Sequence, residues 1–115
     1  MKIINLTDHP VRLRPGDNGR EAGIIYLPTS GRARLVSNTT IVGNVELRGV
    51  GIPMIEYRDR KVLDLPDQVD DQIYVVSGVV CDAVQRADVW TVGGKVVGRN
   101  GKVIAGRYLA RWIRT

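Results

Sequence analysis

Helical periodicity is confined to one stretch of this chain, "SGVVCDAVQRA" from Ser77 to Ala87, where Val79, Val80, Ala83 and Val84 fall on a single face. Everywhere else, apolar residues either alternate with polar ones or sit in short β-branched runs cut by glycine and proline. With 13 glycines and five prolines in 115 residues, the crossover helices that a parallel sheet needs are missing. A doubly wound parallel sheet is therefore disfavoured. The expected class is mainly β or α+β: a small twisted antiparallel sheet or partly open barrel, with one short helix after the Ile73–Ser77 strand, in a single domain spanning residues 1–115.

The turn residues divide the strands. "KIINL" reads as a first strand, and "HPVRLR" places Val11 and Leu13 inward and Arg12 and Arg14 outward. The "PGDNG" turn at Pro15 to Gly19 then predicts a hairpin from Val11 to Leu27. "PTSG", Pro28 to Gly31, is a second turn before the alternating "RARLVS". "TTIVGNVELRGVGIPMIEYRDR" reads as two strands broken around Gly49-Val50-Gly51, with Pro53 on an edge and "RDRK" as a turn into "VLDLP". After the acidic connection "DQVDD" comes the buried-type strand "QIYVVS". Gly93-Gly94 is expected to turn the chain, and Asn100-Gly101 to close a type I′ hairpin that pairs "VVGR" with "KVIAG". "RYLARWIR" is read as a strand in preference to a helix, with Tyr108 and Trp112 packed in the core.

Several chemistries are disfavoured by the residue inventory. One cysteine and one histidine cannot build a nitrogen–sulfur metal site, so no metal and no cofactor are expected. No apolar run is long enough to span a bilayer and the N-terminus lacks a signal-peptide pattern, so a cytoplasmic chain without a membrane partner is expected. "VVSGV" lacks the first glycine of a nucleophile elbow, and the sole histidine, His9, precedes a proline near the N-terminus. Ser77 is instead expected to cap the helix, with its hydroxyl accepting a bond from the first turn. Cys81, beside Asp82, reads as a small buried hydrophobe. No enzymatic role is expected.

Charge is segregated: residues 1–40 carry +3, residues 41–85 carry −4 and residues 86–115 carry +6. Thirteen of the 17 basic residues are arginine, whose planar fork of donors matches phosphate and carboxylate oxygens. "LPTSGRAR" offers hydroxyls, turn amides and then Arg32 and Arg34, without the Walker spacing of a P-loop. The helix entry at Ser77, with Arg86 and Asp88 at the other end, is a second polar locus. A third, Trp90, Tyr108 and Trp112 among C-terminal arginines, has the composition of a nucleic-acid surface, but strand alternation separates the rings from most of the charge.

"INLTDHPVRL", "LPTSGRARLVS" and "IYVVSGVVCDAVQRADVWTVG" together resemble a family of small bacteriophage and prophage proteins with the patterns "INLTPHPV", "PPSG.ARV" and "IYIVS..VA.A...R.D...PG". The chain departs from them at Asp8 and at Thr91-Val92-Gly93, where the patterns have proline and proline-glycine. The matching positions are Asn5, Thr7, His9, Pro10, Ser30, Gly31, Arg34, Ser77, Arg86 and Asp88. In size and style the chain is also similar to phage proteins that sequester nucleotide-derived immune signals. The resemblance thus implies a non-enzymatic binder of a small anionic, nucleotide-like ligand in a bacterial host's cytoplasm, and a homo-oligomer is expected because so short a chain encloses little volume on its own. The ligand-binding set expected is His9, Ser30, Gly31, Arg32, Arg34, Ser77, Arg86 and Asp88. The competing expectations are a structural or protein-interaction component of a phage and a basic nucleic-acid-binding module.

Overall fold

The computed structural model describes residues 1–16 and 23–114. In chain order the elements are β1 (Lys2–Asn5), β2 (Val11–Leu13), β3 (Ile25–Leu27), β4 (Arg34–Leu47), β5 (Val50–Leu63), β6 (Gln72–Val75), α1 (Gly78–Val84), β7 (Val89–Val97) and β8 (Val103–Ala110). Six strands form one sheet in the order β1-β6-β7-β8-β2-β3, and β4 and β5 form a separate two-stranded antiparallel sheet. The two ends of the large sheet meet. Asn5 at the end of β1 bridges Thr29 just beyond β3, and the Ser30 N–H donates to the Asn5 carbonyl at 2.8 Å. The result is a nearly closed, mostly β barrel with one short helix, as the sequence predicts.

The sheet is mixed. β7–β8 and β2–β3 are antiparallel, whereas β1–β6, β6–β7 and β2–β8 run parallel. A parallel neighbour needs a crossover of only about a dozen residues, and the segment between β6 and β7, with α1 inside it, is just long enough. So the single short helix is itself a crossover, which the sequence reading did not assign to it.

Alternation along β6 divides the core in two. Tyr74 faces α1 together with Leu6, Val76, Val80, Cys81 and Val89, and Leu35 and Val62 at the base of β4–β5 pack onto that cluster. Val75 faces the barrel interior with Val11 and Leu13. The predicted Val11-to-Leu27 hairpin is present, with Val11 opposite Leu27, while Asp17 to Gly19 of its turn lie outside the described residues.

Three predicted turns differ from the structure. "RDRK" lies inside β5, where the turn signal survives only as a bulge: Asp59 takes φ 57° and receives a 3.0 Å bond from Asn38 Nδ2. Gly93-Gly94 lies inside β7, covered by the ring of Tyr108 from β8. A Cβ on Gly94 would come within 2.6 Å of that ring, and its φ of 69° favours glycine, so the pair serves close packing instead of chain reversal. At Gly98 to Lys102 only Gly101 has a positive φ, which makes the hairpin loop a type I turn with a glycine bulge and not type I′. The type I′ turn is instead at Arg48-Gly49, φ 53° and 78°, joining β4 to β5 at the predicted break, which it overlaps at Gly49.

The aromatic residues near the C-terminus also differ from expectation. β8 ends at Ala110, so Trp112 lies beyond the ladder and is 81% exposed, and Tyr108 is over half exposed because it lies across glycines and not into the barrel. Trp90 is half-buried beneath the Arg111 guanidinium, 4.9 Å from the ring centre.

Candidate functional site: a cleft beside the Asn5 turn

The site is built outward from one buried side chain. Asn5 is 1% exposed, and its Nδ2 donates to the carbonyls of His9 at 3.0 Å and Leu27 at 2.9 Å. Its Oδ1 accepts from the Thr7 N–H at 2.9 Å and lies 2.6 Å from Thr7 Oγ1. Oγ1 is also 2.7 Å from the His9 carbonyl, so its one proton has two acceptors within reach. Thr29 Oγ1 likewise lies 2.6 Å from the Thr7 carbonyl and 2.9 Å from that of Gly31. A short polar segment is thereby folded back on itself, and among the described residues no buried side-chain nitrogen or oxygen lacks a partner. It is fastened to β6 by Leu6 N–H to Val75 O at 2.8 Å, and to the next turn by Ala33 N–H to Leu6 O at 3.0 Å.

These bonds bring three distant pieces of sequence to one place. Asp8 and His9, then Arg32 and Arg34, then Ser77 border a cleft of about 340 Å³ floored by Val11, Ala33, Val76 and Val92. Thr91, from β7, lines it as well. The lining carries two guanidiniums and one carboxylate, with His9 Nε2 3.9 Å from Asp8 Oδ1 and Arg34 Nε 3.8 Å from Asp64 Oδ2, a carboxylate outside the cleft. Arg32 is exposed and has no ion pair or hydrogen bond among the described residues. A basic, hydroxyl-bearing rim over an apolar floor suits a small anion with a hydrophobic or aromatic body.

Ser77 occupies the N-cap position of α1, and its carbonyl accepts from Cys81 N–H at 3.0 Å. Its side chain makes no cap bond, contrary to expectation, although its backbone, φ −63° and ψ 158°, is the extended conformation usual at an N-cap. The exposed hydroxyl is left for the cleft.

Of the eight residues expected to bind ligand, His9, Arg32, Arg34 and Ser77 line this cleft. Ser30 and Gly31 belong to the turn that positions it, and their backbone is engaged with Asn5 and Thr29. Arg86 and Asp88 are elsewhere. They form a two-bonded ion pair, Nε to Oδ1 at 3.0 Å and Nη2 to Oδ2 at 2.7 Å, and Arg86 Nη1 also donates to the Pro66 carbonyl at 3.1 Å. The hydrogen bonds from Arg86 hold the buried Asp88 carboxyl below the usual carboxylate range and raise the guanidinium in turn. Their place is at the α1–β7 connection, where the Tyr74 N–H donates to the Asp88 carbonyl at 2.8 Å. Burial pushes the Cys81 thiol up, with Arg111 opposing and Asp82 adding to the shift, which suits a packed side chain and not a nucleophile.

Sequence reasoning missed Asp8 and Thr91 as cleft residues. Thr91 enters only through the parallel pairing of Val75 with Trp90, and no local pattern announces that register. Among the described residues, no three histidine, cysteine, aspartate or glutamate side chains are grouped to hold a metal ion, and no helix is long and apolar enough to cross a membrane. The three stretches that carry the resemblance converge on the cleft wall. Compared with protein-family models, curated proteins and solved structures, the chain matches none.

Proposed function

We propose that this chain is a non-enzymatic binding protein that captures a small anionic, nucleotide-derived ligand in the cleft between Arg32, Arg34, His9 and Ser77. The observation that carries this reading is the convergence of those four residues, from three separate segments, on one apolar-floored cleft with the Ser77 hydroxyl unspent on the helix. The guanidiniums would bind phosphate oxygens, the hydroxyl would donate to one of them, and the valine floor would take the base or sugar. A phage origin rests on the motif resemblance, and a role in sequestering an immune signal in the host cytoplasm on the similarity in size and style.

A panel of cyclic and ADP-ribose-type nucleotides screened by thermal denaturation tests the proposal. A ligand at 100 times its dissociation constant stabilises the folded state by about 2.7 kcal/mol, well above the detection limit of a melt. The Arg32→Ala variant should keep the parent melting temperature and lose the ligand-induced rise. The reading of a structural or protein-interaction component is favoured by a different observation, the exposed β4–β5 arm.

A further inference from the structure

The radius of gyration is 18.2 Å, against roughly 13 Å for a compact chain of this length, and the longest extent is 56 Å. The excess comes from β4 and β5, whose bases pack on α1 while the remainder carries exposed side chains on both faces. Beyond the bulge at Val42 the register sorts the residues. Leu47 opposite Val50, Val45 opposite Ile52, and Gly43 opposite Met54 share one face, while Glu46 opposite Gly51 and Asn44 opposite Pro53 share the other. The tip of the arm is therefore an amphipathic two-stranded ribbon. Its apolar side chains, Val45, Leu47, Val50, Ile52 and Met54, are 44–61% exposed.

A two-stranded hairpin is marginal in water unless one face is packed. Strict alternation over these positions is the pattern of a ribbon with a covered face, and among the described residues none covers this one. We infer that the apolar face of the β4–β5 arm packs on the same face of a second copy, forming a two-fold, four-stranded sandwich.

Two features select a second copy as the occupant. The first is area. Five half-exposed side chains of this size present on the order of 400 Å² of apolar surface, which is the nonpolar share of a standard half-interface of ~800 Å². The second is charge. Along β5 the next residue on the apolar face after Val50, Ile52 and Met54 is Glu56, and Arg48 stands in the turn at the other end of the same stripe. When two arms cross head to tail about a two-fold axis, Arg48 comes over the partner's Glu56, and the reciprocal pair forms by symmetry. Glu56 already holds Arg58 at 2.9 Å, so the pair would extend to a three-member charge network at each end of the apolar strip.

This inference is independent of the ligand reading, because neither the apolar strip nor Glu56 lines the cleft. Sedimentation velocity of the full chain at concentrations up to roughly 100 µM, above the weak limit for interfaces of this size, should show a dimer. Ile52→Glu should weaken it by at least about 30-fold, since a two-fold interface uses each central residue twice. Arg48→Glu should weaken it by about tenfold, and Arg48→Glu combined with Glu56→Arg should restore it; these positions are exposed, so folding is preserved and checked by circular dichroism. A parent chain that stays monomeric over the whole range overturns the inference, as does a dimer indifferent to Ile52→Glu. Capture of the monomer by lipid vesicles or by another protein, blocked by the same substitution, would assign the face to that occupant and equally overturn it.

Discussion

Replacing Asn5 by alanine removes the side chain on which the cleft-forming turn is assembled. Four bonds are lost: Nδ2 to the His9 and Leu27 carbonyls, and Oδ1 from the Thr7 N–H and hydroxyl. One is recovered locally, because the Thr7 hydroxyl, 2.7 Å from the His9 carbonyl, then donates there alone. Three remain, with the Thr7 N–H and Leu27 carbonyl deprived of their partner in a buried site. At about 1 kcal/mol per bond the loss is about 3 kcal/mol, a large share of the roughly 5–15 kcal/mol that holds a small domain. A melt should show this as a fall of the order of 10 °C. Asn5→Asp has the same shape but puts a carboxylate oxygen against two carbonyls. It should cost at least as much near neutrality, and its native carboxyl should titrate above the unfolded value, so stability recovers as pH is lowered and is lost as pH rises. Urea titration of the parent and both variants at two pH values measures all of this. If both variants lie within about 0.5 kcal/mol of the parent, the turn is not held by Asn5 and the argument is wrong.

Three further outcomes follow from the same geometry. Ser77→Ala should change stability by less than about 0.5 kcal/mol in urea titration, below the usual loss of a capping side chain, because no cap bond exists to lose. Arg86→Ala strands the buried Asp88 carboxylate and should cost about 3 kcal/mol. Because the folded Asp88 value is depressed, its contribution is present above the unfolded carboxyl value of about 4 and is lost as pH falls through the lower folded value, an acid limb that Asp88→Asn should remove from the stability profile. Gly94→Ala combines a positive φ with a Cβ 2.6 Å from the Tyr108 ring and should cost more than about 1 kcal/mol by urea titration, with Tyr108→Ala relieving the steric part only.

What was legible in the sequence was local. Alternation and turn chemistry placed β1, β2, β3, β6 and α1, and the hydroxyl-and-arginine content of "PTSGRAR" and "VVSG" marked two walls of the cleft. Glycine as a turn signal misled where a ring from the neighbouring strand required it, at Gly93-Gly94, and polar "RDRK" misled because an exposed arm has no inner face to keep apolar. Arg86 and Asp88 fall outside the cleft for another reason. Two residues apart on the connection into β7, they satisfy each other, and sequence alone does not distinguish an internal ion pair from two halves of a pocket. Trp112 was placed inside by extending a strand that stops at Ala110. Parallel pairings lay beyond reach because they are set by contacts between segments tens of residues apart.

The central claim is that Arg32, Arg34, His9 and Ser77 form one anion-binding cleft. Isothermal titration calorimetry of the nucleotide that gives the largest thermal shift, against the parent chain and against Arg32→Ala and Ser77→Ala, tests it most directly. The account predicts saturable binding by the parent, weakened at least about tenfold in each variant, which is about 1.4 kcal/mol of lost contact, with unfolding free energies unchanged. Equal affinity in all three proteins, or no binding by a folded parent across the panel, would contradict it.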